Sequence, residues 1–305
     1  MSGIHWGLGV NERHVGVLGA TSLVGTCLLP PLTAAGWSVT AYSRKKAQQT
    51  GNGVAWRQLP GTELPSSSPS FQGGEGATPY WICVAPIWSL PAYFALLEAQ
   101  GVRRVVVLSS TSRFTKDDSS DPEEQAMARR LAEAETHVQA WAESRGVEWV
   151  ILRPTLIYGL GRDKNITEIA RFIRRFGFFP LFGKAQGLRQ PVHAQDVASA
   201  CLAALQTPGA ANHAYSLSGG ETLTYRDMVT RIFGALGRRP RLFIVPLWVF
   251  SLVVAVFRLL PRYRHWSAAM AERMNRDLVF DHGAAAREFA FKPRGFAPSV
   301  DDVQT

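Results

Sequence analysis

The sequence predicts a doubly wound α/β fold, in which a parallel sheet carries helices on both faces. Short apolar runs alternate with helical stretches through the first half of the chain, and this alternation is typical of strands joined by helical crossovers. The run Val105–Ser109 is rich in β-branched residues, as expected for a strand that is buried on both faces. The predicted strands are Val15–Leu18, Trp37–Tyr42, Val54–Leu59, Tyr80–Ala85, Val105–Ser109 and Val147–Leu152.

Helical segments separate these strands and continue beyond them. We expect Pro30 and Pro31 to kink or shorten the first helix, because proline cannot donate a backbone hydrogen bond. Thr224 precedes Asp227 by three residues and is the expected N-cap of the last helix. The Ser-, Pro- and Gly-rich stretch Pro60–Thr78 has no periodicity and indicates a surface loop. The predicted helices are Val24–Ala35, Pro91–Gln100, Glu123–Arg145, Arg162–Phe176, Ala194–Leu205 and Thr224–Leu236.

Composition excludes several classes of protein. The 305 residues, 46% of them hydrophobic, are enough for about two globular domains. The seven histidines and three cysteines show no metal-ligand spacing, so no metal site is predicted. The net charge of +9 comes from dispersed arginines without a basic, aromatic-studded strand, so nucleic acid is not an expected partner. Met1–Arg13 has no signal-peptide pattern, and a cytoplasmic location is expected.

One segment, Leu242–Leu260, is more apolar than the rest of the chain. Pro246 can open a helix there and Pro261 ends it, which gives a helix of about 21 Å. That length is too short for a bilayer core of about 30 Å. Burial in a substrate domain or dimer interface is one interpretation. Peripheral contact with a membrane or a protein, or a lipidic substrate pocket, is the other.

The sharpest motif is Val17-Leu18-Gly19-Ala20-Thr21-Ser22-Leu23-Val24-Gly25, which follows a predicted strand and opens a helix. Gly19 permits a tight turn, the small Ser22 lets the backbone approach a pyrophosphate, and Gly25 allows the helix and strand to pack closely. The helix N-terminus supplies N–H groups and a positive dipole for phosphate. The motif therefore predicts a Rossmann-type dinucleotide site.

The end of the second strand, Tyr42-Ser43-Arg44-Lys45-Lys46, bears on cofactor choice. Sites that prefer NAD usually place Asp or Glu here, on the ribose 2′-hydroxyl. This chain has a hydroxyl and three cations instead, and Arg44 can bind a 2′-phosphate with Ser43 beside it. NADP(H) is the favoured cofactor and NAD(H) the alternative.

With these motifs placed, the chain from about Arg13 to Phe296 resembles the extended or atypical short-chain dehydrogenase/reductase superfamily, the NAD-dependent epimerase/dehydratase group. The stretches that carry the resemblance are the Gly19–Gly25 motif, Val107-Leu108-Ser109-Ser110-Thr111, Leu152-Arg153-Pro154-Thr155-Leu156-Ile157-Tyr158-Gly159 and Pro191-Val192-His193-Ala194-Gln195-Asp196-Val197-Ala198.

The resemblance implies a cofactor-binding domain of residues 1–155, to which 190–218 contribute, and a smaller substrate domain of 156–189 and 219–305. It implies cofactor contacts from Gly19, Thr21, Ser22, Leu23, Val24, Ser43, Arg44, Val84, Ala85, Pro86, Ser109, Pro154, Thr155 and Ile157. Thr111 and Tyr158 are the candidate catalytic residues, and Arg189 and His193 are candidate substrate ligands. Arg171, Arg174 and Arg175 offer further cations to an anionic substrate.

The sequence departs from the family at one place that matters for chemistry. Family members carry Tyr-x-x-x-Lys on the helix after the fifth strand, and the tyrosine moves a proton. No tyrosine or lysine lies between Asp117 and Arg145. When Ala134-Glu135 is aligned with the family's helix signature, Met127 and Leu131 occupy the tyrosine and lysine positions. When the alignment is shifted back by two residues, Gln125 and Arg129 occupy these positions.

Two functions remain open from the sequence. The first is an NADP(H)-binding oxidoreductase or epimerase-like enzyme that acts on a small molecule with a non-standard proton donor. The second is a non-catalytic NAD(P)-binding accessory or redox-sensing protein of a membrane-proximal complex, since the superfamily contains such members.

Overall fold

The computed structural model describes residues 13–44, 53–59, 77–117, 119, 121–246 and 268–304. The strands are β1 (His14–Leu18), β2 (Ser38–Ser43), β3 (Val54–Gln58), β4 (Tyr80–Cys83), β5 (Arg104–Leu108), β6 (Glu148–Pro154), β7 (Ile157–Tyr158), β8 (Phe179–Phe182), β9 (Leu188–Arg189), β10 (Val192–His193), β11 (His213–Leu217), β12 (Leu223–Thr224) and β13 (Leu242–Val245).

Seven of these strands form one parallel sheet in the order β11-β6-β5-β4-β1-β2-β3. The chain moves outward from β1 to β3, returns to β4 on the other side of β1, and then continues through β5 and β6 to β11. This reversal of strand order beside β1 creates the crevice in which open α/β sheets bind ligands. The doubly wound fold is confirmed. Of the seven strands, β11, whose residues alternate in burial, is the one that the sequence analysis does not predict.

The helices are α1 (Leu23–Ala34), α2 (Phe94–Ala99), α3 (Ser112–Thr115), α4 (Pro122–Arg145), α5 (Ile166–Phe176), α6 (Ala194–Gln206), α7 (Tyr225–Ala235), α8 (Ala268–Asn275), α9 (Gly283–Phe289) and α10 (Val300–Val303). A 3₁₀ turn over Ile87–Tyr93 leads into α2, so the helix predicted for Pro91–Gln100 is shorter and begins differently.

Helix α1 corrects one expectation. It continues through Pro30 and Pro31 to Ala34, so the prediction that the two prolines shorten the helix is wrong, and the predicted kink remains a prediction. Leu28 and Leu32 on this helix are fully buried in the core beside the sheet. Tertiary packing of the apolar face thus outweighs the lost backbone hydrogen bonds, since most helical stability in proteins comes from such packing.

Capping side chains set the starts of two other helices. Asp163 Oδ1 accepts hydrogen bonds from the backbone N of Asn165 at 2.8 Å and of Ile166 at 2.6 Å, so α5 begins four residues after the predicted Arg162. Thr224 caps α7 as predicted, because its hydroxyl accepts from Asp227 N at 3.0 Å. An oxygen cap satisfies N–H groups that have no partner within the helix.

Two cores cover the faces of the sheet. On one face, α1 and α6 pack on strand residues that include Val17 and Val106; on the other, α4 packs on neighbours such as Val105 and Val107. A third core joins α5, α7 and β8 around Ile173, Leu181 and Phe233. We call this third cluster the helical core. It lies beyond the carboxyl ends of the sheet strands and supplies the second wall of the site.

Two predicted features fall largely outside the described residues. They are most of the Pro60–Thr78 loop and the part of Leu242–Leu260 that follows Pro246, with the membrane or protein contact predicted for it. The first four residues of that segment form β13, which pairs with β8. Within the part of the chain that the structure describes, none of the helices combines the length and the apolar character needed to cross a membrane.

We predict that Gly25→Ala destabilises the fold by about 1–3 kcal/mol, the usual range for overpacking. A Cβ at Gly25 would lie 2.5 Å from the Gly19 carbonyl oxygen and 2.6 Å from that of Ala20. Both are backbone atoms and cannot rotate away. Urea unfolding measures the change.

The matched control is Gly234→Ala in α7, where a Cβ would have no atom within 4 Å. This variant should be as stable as the unaltered chain, or more stable by up to about 1 kcal/mol, because alanine favours helix. Equal stability of the two variants would contradict the close packing assigned to Gly25.

Candidate functional site

A cavity of about 870 Å³ opens at the carboxyl ends of the sheet strands. One side is formed by the N-terminus of α1 and by the loops after β4 and β5. The other side is formed by α5, α7 and α8 of the helical core and its surroundings. A single cavity therefore touches both the dinucleotide motif and the region predicted to bind substrate.

The motif at the start of α1 folds as a tight turn against β4. Gly19 has a positive φ of +82°, and a Cβ there would lie 2.6 Å from Ala85 N. Ser22 Oγ accepts from Gly25 N at 3.1 Å and caps α1. The next two residues, Leu23 and Val24, line the cavity with Ser22. Their N–H groups belong to the first turn, which has no partners within the helix.

A residue from beyond β7 reaches this turn. Arg162 donates one hydrogen bond to the Thr21 carbonyl oxygen at 2.9 Å and another to Thr26 Oγ1 at 3.2 Å. It lies in the cavity wall and its side chain is exposed. The arginine brings a positive charge to the end of α1 that already favours anions. Gly159 and Gly161, which both adopt positive φ, precede Arg162. These glycines are the feature of the local sequence that could have indicated a functional loop here.

The residues at the end of β2 are absent from the described cavity wall. Ser43 is buried, whereas Arg44 is exposed and its carbonyl oxygen accepts from Gln58 Nε2 at 3.3 Å. Arg44 therefore has a guanidinium that faces solvent at the carboxyl end of β2. Lys45 and Lys46 lie outside the described residues.

The ends of β4, β5 and β6 supply the floor of the cavity. Val84, Ala85 and Pro86 follow β4, and Ser109 and Thr111 follow β5; Thr155 and Ile157 come from the turn after β6. Thr111 is buried, and its hydroxyl donates to the Pro154 carbonyl oxygen at 3.2 Å. This bond orients the hydroxyl and leaves its oxygen able to accept another.

Helix α4 presents apolar side chains where the family helix carries its proton-transfer residues. Met127 and Leu131 both line the cavity. Gln125 and Arg129 are absent from the described cavity lining. The Nε2 of Gln125 instead donates to the Ser119 carbonyl oxygen at 2.9 Å. The geometry favours the alignment anchored on Glu135.

Glu135 itself is 1% exposed and holds α4 in place. Its carboxylate accepts from Ser109 Oγ and from Arg113, and Arg153 binds it through Nε at 3.0 Å and Nη2 at 2.7 Å. A buried carboxylate needs such partners, because ionised groups are costly to desolvate. The cluster ties α4 to the ends of β5 and β6.

Two predicted residues lie outside the described cavity lining: Tyr158 belongs to the helical core, and His193 packs against it. Tyr158 is 1% exposed, and burial raises the pKa of its hydroxyl to about 12. Its ring packs edge-on against His193 and Phe296.

The imidazole of His193 is occupied on both sides. Nδ1 accepts from Gln195 N at 3.2 Å and so caps α6, and Nε2 lies 3.1 Å from Asp302 Oδ1. Burial opposes ionisation of Asp302, yet hydrogen bonds from Ser299, Leu160 and His193 keep the pKa of its carboxyl below the usual value. The arrangement anchors α10 to α6; the substrate role predicted for His193 remains a prediction.

Arg189 lines the cavity, as a substrate residue should, and is 4% exposed. Burial lowers the pKa of its guanidinium to about 10. Its Nη1 donates to the carbonyl oxygens of Leu188 and Arg276, each at 2.7 Å, and Nη2 donates to that of Arg273. These bonds fasten the end of α8 to β9.

Tyr225 is a cavity residue that the sequence analysis missed. It is the first residue of α7, its ring lies 5.5 Å from the Arg189 guanidinium, and burial raises the pKa of its hydroxyl to about 12. The hydroxyl therefore stays protonated at neutral pH. No local pattern marks a tyrosine at the start of an amphipathic helix as a site residue.

The cavity thus brings together many of the predicted residues and leaves others at its edge. Those in its wall are Ser22, Leu23, Val24, Val84, Ala85, Pro86, Ser109, Thr111, Thr155, Ile157 and Arg189. Those outside the described lining are Gly19, Thr21, Ser43, Arg44, Pro154, Tyr158 and His193.

Comparison with known proteins agrees with this geometry. Residues 93–218 match the model of the NAD dependent epimerase/dehydratase family. The UDP-glucose 4-epimerase of Vibrio cholerae is 26% identical over 167 residues, which is 52% of this chain and 51% of that protein. Subunit 9 of the NADH dehydrogenase [ubiquinone] 1 alpha subcomplex of Arabidopsis thaliana mitochondria is 30% identical over 95 residues, 31% of this chain and 23% of that one. The chain spans about half the length of the first relative and about a quarter of the second.

Solved structures share the fold across the chain. The UDP-glucose 4-epimerase of Thermus thermophilus in complex with NAD superposes with a TM-score of 0.65 at 17% identity, covering 95% of this chain and 97% of that one. MoeE5 in complex with UDP-glucuronic acid and NAD gives a TM-score of 0.65 at 18% identity, covering 95% and 96%. The match over residues 93–218 and the shared fold confirm that this chain resembles the NAD-dependent epimerase/dehydratase family.

Proposed function

We propose that this chain binds NADP(H) and a second small molecule in one cavity, and that it is an oxidoreductase or epimerase-like enzyme. The observation that carries the proposal is the continuity of the cavity, which runs from the N-terminus of α1 to the helical core. The family match supports a nicotinamide dinucleotide as the cofactor.

The residues at the start of α1 fit a dinucleotide pyrophosphate. Gly19 and Gly25 leave no room for a Cβ, so the turn brings backbone N–H groups close to the cavity. The N–H groups of Leu23 and Val24 would hold the phosphates, and Arg162 would add a charge-assisted contact. Ser22, in place of a glycine, caps α1 at Gly25 N.

Arg44 supports the preference for NADP(H). It lies where an NAD-preferring site carries an acidic residue, and its guanidinium is exposed. Forked donors of this kind bind phosphate strongly. NAD(H) is the alternative, and the solved neighbours cited above contain NAD.

A bound nicotinamide would supply hydride transfer, and the protein must supply proton transfer and positioning. Neither Met127 nor Leu131 can move a proton. Several hydroxyl side chains after β5 line the cavity, and among them Thr111 holds the position that the family resemblance gives to the catalytic Ser/Thr. We assign it the hydrogen bond to the reacting oxygen of the substrate. For this bond its O–H would turn away from the Pro154 carbonyl oxygen, which also accepts from Thr111 N at 3.1 Å, and donate to the substrate.

A non-catalytic role is the second candidate. Met127 and Leu131 in the cavity wall favour it, because a protein that only binds a nucleotide needs no proton donor. Two curated relatives are mitochondrial NADH dehydrogenase subunits, matched over 92 and 95 residues. In this case the nucleotide would stabilise the fold or report redox state to a partner.

We expect Arg44→Ala to weaken NADPH binding by about tenfold or more, with NADH changed by less than about twofold, because a hydrogen bond to a charged group contributes about 1.5–3 kcal/mol. Arg162→Ala should weaken both cofactors equally, since both carry the pyrophosphate. Titrations followed by nicotinamide fluorescence measure all four affinities. Absence of binding by the unaltered chain would overturn the proposal; equal loss of NADPH and NADH in Arg44→Ala would leave the dinucleotide and remove the 2′-phosphate preference.

We expect Thr111→Val to lower kcat about a hundredfold, the range for loss of a positioned donor or proton-transfer group. NADPH oxidation with a panel of aldehydes, ketones and nucleotide sugars provides the measurement. Thr136→Val is the matched control, because Thr136 is exposed on α4 and its hydroxyl bonds to the Ala132 carbonyl oxygen at 3.1 Å. NADPH affinity should be unchanged in both variants. Tight NADPH binding without turnover on any member of the panel would favour the accessory role.

A further inference from the structure

The part of the cavity that faces the helical core is lined mainly by apolar side chains. They come from four helices and strands, from the turn after β6 and from the segment after α8, so the apolar character is not the property of one helix. We call this region the apolar chamber. Its residues are Leu156, Ile169, Phe172, Phe179, Met228, Met274, Leu278 and Phe280.

The chamber is part of a packed core rather than a surface depression. Ile169, Phe179, Met228 and Met274 are at most 8% exposed and belong to the helical core. Such neighbours hold the wall in place and leave little freedom for polar rearrangement, since protein interiors are close-packed. A ligand that enters the chamber must therefore present apolar surface to these side chains.

Most polar groups in this region already have partners. Arg189 donates to three carbonyl oxygens. Gln190 Oε1 accepts from Phe280 N at 2.7 Å, and its Nε2 donates to Thr222 Oγ1 at 3.1 Å. Arg273 pairs with Glu124. Arg189 retains Nε and one hydrogen of Nη2 as donors, and Arg273 retains the N–H groups that do not face Glu124.

Tyr225 differs from them. Within the described part of the chain, its hydroxyl has no assigned hydrogen bond, and its ring lies in the chamber wall beneath Arg189. A protonated phenol can donate one hydrogen bond to an acceptor oxygen. The Tyr225 hydroxyl thus adds a hydrogen-bond donor beside the apolar wall of the chamber.

A sugar fits this lining poorly. Each sugar hydroxyl that leaves water without a partner costs free energy, and the chamber provides few partners. An apolar chain or ring gains affinity with every methylene that it buries. The apolar side chains of the chamber therefore select a ligand by its carbon surface.

The apolar wall also continues towards the surface. Phe172 contacts Phe176 with ring centroids 4.6 Å apart and the ring planes tilted by 45°, and Phe178 contacts Phe243 edge-on at 5.1 Å. Phe176 is 50% exposed and Phe243 is 58% exposed. Exposed apolar surface therefore adjoins the chamber through Phe172.

We propose that the second ligand is an amphipathic molecule, with an apolar chain or ring system in the chamber and one acceptor oxygen at Tyr225. The inference rests on the proposed function, because it names the substrate class of the same cavity. It separates this chain from relatives whose names specify a UDP-sugar.

The test is calorimetric binding of methyl ketones from 2-hexanone to 2-decanone, with UDP-glucose as the competing class. Affinity should rise about fourfold for each added methylene, the fold-change that corresponds to about 0.8 kcal/mol per buried CH₂. UDP-glucose should bind more weakly than 2-decanone. Affinity that does not change with chain length, or tighter binding of UDP-glucose, would overturn the inference.

Three variants locate the site. Leu278→Gln should flatten the dependence on chain length, because it puts an amide in the chamber wall. Val279→Gln is the matched control, since Val279 is 45% exposed and absent from the described lining; its ketone affinities should equal those of the unaltered chain. Tyr225→Phe should weaken every ketone by a similar factor of about two to tenfold, the range for one hydrogen bond.

NADPH titration of the same samples separates the two proposals. If NADPH binds but the ketone affinity does not rise with chain length, only the amphipathic ligand is overturned. If the ketone affinity rises with chain length but NADPH does not bind, the proposed function is overturned and the amphipathic ligand of the chamber remains supported. Thermal unfolding of each variant identifies any loss of affinity that comes from misfolding, and Leu278→Asn then replaces Leu278→Gln.

Discussion

The site depends on one buried carboxylate. Glu135 binds Ser109 after β5, Arg113 on α3 and Arg153 on β6, and a carboxyl group so deeply buried needs such partners because its desolvation is costly. These contacts fix the rotation of α4 about its axis. Leu131 and Met127 lie four and eight residues before Glu135, on the same helix face, so the cluster directs them into the cavity.

The two walls of the cavity are held together by long-range polar contacts rather than by a continuous sheet. Arg162 binds the turn before α1 across 141 positions of sequence, and Arg273 pairs with Glu124 at the start of α4. Arg189 fastens the end of α8 to β9. The shape of the cavity therefore depends on charge pairing and hydrogen bonding between distant segments.

The chemical character of the cavity changes along its length. Near α1 it offers backbone N–H groups and a guanidinium, which suit phosphate. Near the helical core it offers methionine, leucine and phenylalanine side chains together with the phenol of Tyr225. This contrast is the physical basis for assigning the two halves to two different ligands, and it explains why relatives with the same fold need not share a substrate.

Local sequence is sufficient to predict the parallel sheet, most of its strands, the turn at Gly19–Gly25 and the cap at Thr224, because each follows from the chemistry of neighbouring residues. It also puts Ser109 and Thr111 at the end of a strand, where they line the cavity. Contacts between distant segments are needed to learn that α1 continues through both prolines, that Arg162 and Tyr225 reach the cavity, and that Tyr158 and His193 pack away from it. These outcomes depend on packing between segments far apart in the chain, and no local pattern of residues encodes such packing.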